Sequence, residues 1–430
     1  MHSPMPLSQN KLTSNSIYTI IFHTCYQYKF STNIILKNKM IISTKIDEIL
    51  TIQVIGCLDP IISLLNSLGA IISPSSIGCK VLNKNSIGID ENTKPKDIQW
   101  DVLRTTSNYS THKIISGSHD HCVALIDSGI DVNHQDLMDN IINVKNFVPN
   151  KKIDHQEKNI SVDPLYMNDY LDHGTQVAGQ ICANGEITSV TPNTGIRVYR
   201  VFGEDKAYNI WIIDAIIHAA NDGVDVINLS LGSYLIDEYY SINSKEYNNK
   251  AEIVAFKRAI EYAYSKGCVV VGALGNDDII IDNQEIFLKN IKDNLSISHI
   301  NKNALVYDFP SQLPNVIGVA SANYFNNIAN YSNKSDKYTD ILSYAGDTTL
   351  LEKHGMEKWL QKKLILKDWV LSTSNSTVYT YTTGNSLATG KVSGAIAAMN
   401  DYYNIHKDPF RSLQLFKCKT SGILNMDTLI

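Results

Sequence analysis

Two apolar runs constrain this chain more than anything else in it. Cys122–Ile126 and Val269–Val271 are unbroken stretches of strand length, the first ending in Asp127, the second followed by Gly272–Gly275 and Asn276. A strand with no polar face must be buried on both sides, which is the condition of a parallel strand covered by helices. Strands alternating with helical patterns from Cys122 onward therefore predict an α/β fold, a doubly wound, mostly parallel sheet with helices on both faces. Open sheets of this kind place their sites at the carboxyl ends of the strands, where Asp127 and Asn276 both fall. Read alone, Asp127 before Ser128 and Gly129 is equally a turn cap, and Asn276 is equally a turn residue that tolerates left-handed backbone.

Two further segments complete a set. His173 precedes Gly174 and Thr175 and then Val177–Ala183, a small-residue stretch that reads as a helix packed closely in a core. Ser386 stands in Gly384–Gly390 and is followed by the small apolar residues up to Met399, as a buried helix entering from a glycine turn requires. An isolated serine at such a place is an N-cap. A serine hydroxyl becomes a nucleophile near neutral pH only with a histidine to take its proton and a carboxylate to orient that histidine, and the oxyanion needs its own donor. Asp127, His173, Asn276 and Ser386 are the four types required, and chain order separates the convergent triads.

On these segments, with Val224–Ser233, roughly residues 100 to 410 resemble the subtilisin-like serine proteases, whose order is Asp, His, Ser. The resemblance implies a triad of Asp127, His173 and Ser386, with Asn276 as oxyanion donor. It makes Ser230, Leu231 and Gly232 an edge that pairs with an extended peptide by strand addition. Asp277 falls on the rim of the S1 pocket, where a carboxylate favours lysine or arginine at P1; a solvated acidic loop at Asp277–Asp278 is the competing reading. The family usually has threonine and proline where this chain has Asn385 and Gly390. The missing threonine hydroxyl weakens the oxyanion site unless the Asn385 amide replaces it. Through Gln176, Leu387 and Lys391 the motifs are most similar to those of lantibiotic leader peptidases. The implied activity is peptide hydrolysis through an acyl-enzyme, removing a leader from a ribosomal precursor. A general degradative intracellular subtilisin and a non-catalytic peptide-binding relative are the alternatives.

The first hundred residues differ. Ile49–Gly56 reads as a strand, Leu58–Leu68 as a helix started by Asp59 and Pro60, and Ala70–Ser73 as a strand. This is similar to the second half of a subtilisin propeptide and implies a small α+β propeptide-like region over residues 1–98, ending in the polar linker Asp90–Asp97, before a catalytic domain over 99–430. Autocleavage in that linker, close to Trp100, would free the cleft of its own propeptide; a permanent N-terminal domain is the alternative. Two segments, Asp278–Pro310 and Gly346–Tyr381, exceed a minimal subtilisin, and Leu350–Leu364 in the second has the pattern of an amphipathic surface helix.

Other partners and cofactors find no support. Seven cysteines without paired spacing favour buried hydrophobes over a disulfide framework and fit a reducing compartment. Ile17–Phe22 is too short for a secretion signal, which points to the cytoplasm, with secretion the alternative if Met1 is not the true start, and no 18-residue apolar segment exists to span a membrane. A net charge of −5 without a basic stripe gives no footprint for nucleic acid. Asp136 aligns with a familiar calcium ligand of the resembled family. The loop after His173 is short, however, and one carboxylate falls far below the ~6 oxygens a calcium ion takes, so no metal or other cofactor is expected.

Overall fold

The structure is a computed structural model and describes residues 16–80, 87–88, 94–148, 167–203, 206–376 and 378–430. An N-terminal layer contains β1 (Ile17–Ile21), α1 (Cys25–Lys37), β2 (Ile41–Ile46), β3 (Thr51–Ile55), α2 (Ile62–Ser67) and β4 (Ile71–Pro74). Its four strands form an antiparallel sheet in the order β2-β3-β1-β4 around a core that includes Tyr18, Ile20, Phe22, Tyr28, Ile52, Val54 and Leu65. The expected strand–helix–strand unit is present as β3, α2 and β4, but its two strands are not neighbours: β1 lies between them. The run at Ile17 is thus a central strand, and Thr24 with Gln27 closes a capping box on the helix that follows it.

Two short strands, β5 (Ile77–Lys80) and β6 (Ile87–Gly88), and a helix, α3 (Trp100–Thr105), lead into the body. There follow β7 (Val123–Asp127), β8 (Ile141–Asn146), α4 (His173–Cys182), β9 (Ile196–Arg200), β10 (Lys206–Tyr208), α5 (Asn209–Asn221), β11 (Val226–Leu229) and β12 (Ser233–Ile236). A hairpin, β13 (Tyr240–Ile242) and β14 (Lys245–Tyr247), precedes α6 (Lys250–Ser265), β15 (Val269–Ala273), α7 (Gln284–Asn294), β16 (His299–Ile300), β17 (Val306–Phe309) and β18 (Val316–Ala322). The chain closes with β19 (Ile341–Tyr344), α8 (Thr349–Gln361), α9 (Ile365–Asp368), β20 (Val370–Ser374), β21 (Val378–Thr382), α10 (Asn385–Tyr402) and α11 (Pro409–Lys419).

Seven parallel strands in the order β19-β18-β15-β11-β7-β9-β8 make the central sheet. Side chains alternate across it as the period of a strand demands. Val123 and Leu125 face the core shared with α4 and α10, while Ala124 and Ile126 face the one shared with α5 and α6. That is why the run beginning at Cys122 has no polar position.

Of the two longer segments, the first forms α7, β16 and β17. The second forms α8 as expected, although Gly355 breaks it with a left-handed φ of 73°. This helix is more than surface decoration, because Trp359 is fully buried and its Nε1 donates to Asp368 Oδ2 at 2.8 Å. Residues 90–93 of the expected linker lie outside the described residues; Lys94, Lys96 and Asp97 are exposed. Six described cysteines are free, Cys25, Cys57, Cys122, Cys182, Cys268 and Cys418. Among the described residues no helix is long and apolar enough to cross a membrane.

Candidate active site

The sheet delivers Asp127 as the last residue of β7, fully buried, and α4 begins at His173 beside it. His173 Nδ1 lies 2.7 Å from Asp127 Oδ1. A carboxylate only accepts, so Nδ1 carries the proton and Nε2 is left with the lone pair a general base needs. Ser128 N–H also donates to Asp127 Oδ1, at 2.7 Å. A second buried acid supports this pair: Asp169 accepts from Ser128 Oγ at 2.6 Å and from Thr175 N–H at 2.8 Å, and Ser128 Oγ in turn accepts from Gly174 N–H at 2.9 Å. Burial works against a charged imidazole at His173, yet the negative charges of Asp127, Asp169 and Asp172 outweigh it and hold the group above its ordinary value.

Ser386 lies in the first turn of α10, behind Gly384, whose φ of 147° makes the entry turn. Its hydroxyl donates to the Ser230 carbonyl at 3.0 Å, and Ser230 Oγ donates to the Ser386 carbonyl at 2.8 Å. The Ser386 turn is thereby stitched to the end of β11. Asn276 Oδ1 accepts from Asn385 N–H at 3.1 Å, which fixes the Asn276 side chain beside Ser386 and leaves its amide NH2 as the donor end. Asn385 does not replace the missing threonine hydroxyl. Fully buried, it donates from Nδ2 to the carbonyls of Leu274 and Gly275 and to Ser332 Oγ, and accepts from Ser321 N–H, so it bolts the turn to β15 and β18. Gly390 marks a close approach of α10 to α4: a Cβ there would meet the Val177 carbonyl at 3.1 Å.

Along the cleft, Ser230 and Leu231 are buried and Gly232 lies at the surface. The Leu231 side chain packs into the core with Leu229 and Phe309, leaving the main chain as what this edge can offer a ligand. Two strands are already added to the body in separate sheets: β5 pairs antiparallel with β10, and β6 pairs antiparallel with β21, the strand that runs into the Ser386 turn. Asp277 is exposed and its carboxylate accepts from the Tyr234 hydroxyl, while Asp278 pairs with Lys334. A third acid escaped the sequence reading. Asp308 on β17 is buried, and its Oδ2 accepts from Gly275 N–H at 3.0 Å and Asn333 Nδ2 at 2.8 Å. Burial, with the charge of Asp277 adding to it, pushes Asp308 up to about 7. The one hint in the sequence was a carboxylate inside the apolar strand Val306–Phe309.

Asp136 does not fit a cation. Its carboxylate accepts from Glu186 N–H at 3.0 Å, Ile187 N–H at 2.9 Å and the Tyr379 hydroxyl at 3.0 Å, so it pins the loop after α4 with donors where a metal ligand needs free lone pairs.

Comparison with known proteins agrees with this geometry. The model of the subtilase family matches residues 118–414. The epidermin leader peptide-processing serine protease EpiP of Staphylococcus epidermidis is 36% identical over 413 residues, 94% of this chain and 87% of the relative. The nisin leader peptide-processing serine protease NisP of Lactococcus lactis subsp. lactis is 39% identical over 315 residues, 73% of this chain but only 45% of the relative's length. Among solved structures, EpiP from Staphylococcus aureus superposes with a TM-score of 0.84 at 30% identity, covering 97% of this chain and 98% of that one. The nisin leader peptidase NisP from Lactococcus lactis gives 0.73 at 36% identity, covering 78% and 94%.

Proposed function

The chain belongs to the subtilase family of serine peptidases, and on that premise we propose that it is a processing endopeptidase that removes the leader from a lantibiotic precursor. The observation that carries this reading is the similarity to EpiP over 94% of the chain, which takes in the N-terminal layer as well as the body. An extended leader lies along Ser230–Gly232 by strand addition. Ser386 gives up its hydrogen bond to the Ser230 carbonyl, its proton passes to His173 Nε2, and Oγ attacks the scissile carbonyl. The Asn276 amide and the free N–H groups opening α10 hold the oxyanion. As the C–N bond breaks, the imidazolium returns the proton to the departing amine. Water then attacks the acyl-enzyme with His173 again as base.

Asp277 and Asp308, gathered by Tyr234 and Asn333, are the groups that select a basic P1 residue. Asp308 titrates near 7, so the preference for arginine over glutamine at P1 should grow as pH rises through that value and shrink below it. Matched peptides with Arg, Gln or Glu at P1, cut at pH 6 and pH 8 by wild type and Asp308→Asn, measure this. Equal rates for all three would discard the acidic pocket. Acid inactivation should set in above the usual histidine range, because His173 must be neutral to act as base. The N-terminal layer acts as a propeptide released by a Ser386-dependent cut between Val81 and Gln99. Incubation with a ring-bearing precursor and, separately, with unfolded casein separates the functions. One cut at the leader junction supports processing, and broad casein digestion overturns it in favour of a degradative subtilisin.

A further inference from the structure

The helix that presents Ser386 carries a second, unused charge. Lys391, five residues further along α10, is fully buried; its ammonium stands 2.7 Å from Asp101 Oδ2 and donates to the Tyr344 carbonyl at 2.6 Å. Asp101 is buried as completely, and among the described residues its carboxylate meets no other donor. Burial lowers the pKa of Lys391, and Asp101 opposes that fall. A buried pair with so few supporting hydrogen bonds is a poor source of stability, because desolvating two ions offsets their attraction. What it does supply is position.

Tyr344 ends β19, and the next carbonyl, that of Ala345, accepts from Thr383 Oγ1 at 2.7 Å. Successive carbonyls of one strand end therefore hold the chain on both sides of the nucleophile turn, Thr383 before Ser386 and Lys391 after it. Asp101 is fixed in its turn by Trp100, whose Nε1 donates to the Trp369 carbonyl at 2.9 Å and whose ring packs edge-on against Tyr344 at 5.4 Å.

We propose that Lys391, with Asp101 as its counter-ion, is a positioning residue that orients Ser386 toward His173 by clamping α10 to the end of β19. The inference rests on the reading of Ser386 as the nucleophile. A fluorophosphonate probe reports the reactivity of that serine without any peptide, and the amount labelled at completion counts competent molecules. Lys391→Met alone strands a buried carboxylate and is expected to lose folded protein, whereas Lys391→Met combined with Asp101→Asn leaves no stranded charge. The double variant should melt near wild type yet label about tenfold more slowly per competent molecule, with kcat on a cleavable peptide down by the same factor and KM unchanged. Wild-type labelling and kcat in the folded double variant would overturn the proposal and leave the pair purely structural. Should the double variant not fold, the fraction of Lys391→Met that does fold, counted by the amount labelled at completion, decides: slower labelling per competent molecule supports the clamp, and a wild-type rate sinks it. Labelling that persists in Ser386→Ala would instead refute the nucleophile.

Discussion

The chain is fastened to the catalytic body on both sides of residues 81–93, and the two fastenings are built differently. Upstream, an apolar seam in which Ile21, Ile46 and Ile49 join the core of α5 and α6 is edged by polar contacts, several of them at helix ends. Ser73 Oγ accepts from Ala251 N–H at 2.9 Å and donates to Asn248 Oδ1 at 2.7 Å, and the Ser76 carbonyl accepts from Asn209 N–H at 3.3 Å. Ser76 N–H and hydroxyl both donate to the buried Glu252. Water can satisfy each of these polar groups once it is exposed. Downstream, Gln99 is buried and bonds Thr188 twice through its amide, at 2.9 and 3.0 Å, Trp100 fills the core, and Asp101 neutralises Lys391. Water cannot replace any of these without opening the core. The downstream side is the more deeply embedded of the two, and on the proposed propeptide reading the maturing cut falls upstream of Gln99.

Breaking the downstream side should have the larger effect. In a Ser386→Ala background, Trp100→Ala should destabilise the body by about 3–5 kcal/mol, the range for truncating a buried aromatic. Gln99→Ala, which leaves both Thr188 groups unpaired, should cost about 1–3 kcal/mol. Denaturant titration measures both, and wild-type midpoints would show that this segment is not part of the core. Ser76→Ala should leave the body's midpoint in place and speed release of a nicked N-terminal layer about fivefold, the effect of about 1 kcal/mol, read by size-exclusion chromatography.

The finest effect is one of pH. Burial pushes Glu252 up to about 7 in the attached state. On release the carboxyl returns toward its ordinary, lower value, so the attached state binds the extra proton. Attachment is therefore strongest below the ordinary carboxylate range and weakens as pH rises through about 7. Release rates measured between pH 5 and 8 should climb in wild type and flatten in Glu252→Gln; a flat wild-type profile would remove Glu252 from the account.

The sequence announced β7 and β15 because strands buried on both faces have no polar positions to blur them. It hid β2, whose burial is mixed along its length, and with it the strand that pairs with the outer edge of β3. Asp127, His173, Asn276 and Ser386 stood out as candidates because their neighbours are small residues that only close packing explains, and the structure brings His173 to Asp127 and Asn276 to the turn of Ser386. Asp308 did not stand out, since its place beside Gly275 and Asn333 is set by strands far apart in the chain. The role of Asn385 stayed open for a related reason: a turn amide reads the same whether it faces a ligand or, as here, the carbonyls of Leu274 and Gly275 just past β15. Asp101 and Lys391 lie on α3 and α10 at opposite ends of the catalytic body's sequence, and nothing short of the fold pairs them.

The most direct measurement is the intact mass of the purified chain and of its Ser386→Ala variant after incubation in the same buffer. The account predicts that wild type loses its N-terminal layer, with a new N-terminus between Val81 and Gln99, and that Ser386→Ala keeps its full mass. A variant trimmed at the same bond, or a wild-type N-terminus beyond Asp101, would contradict it.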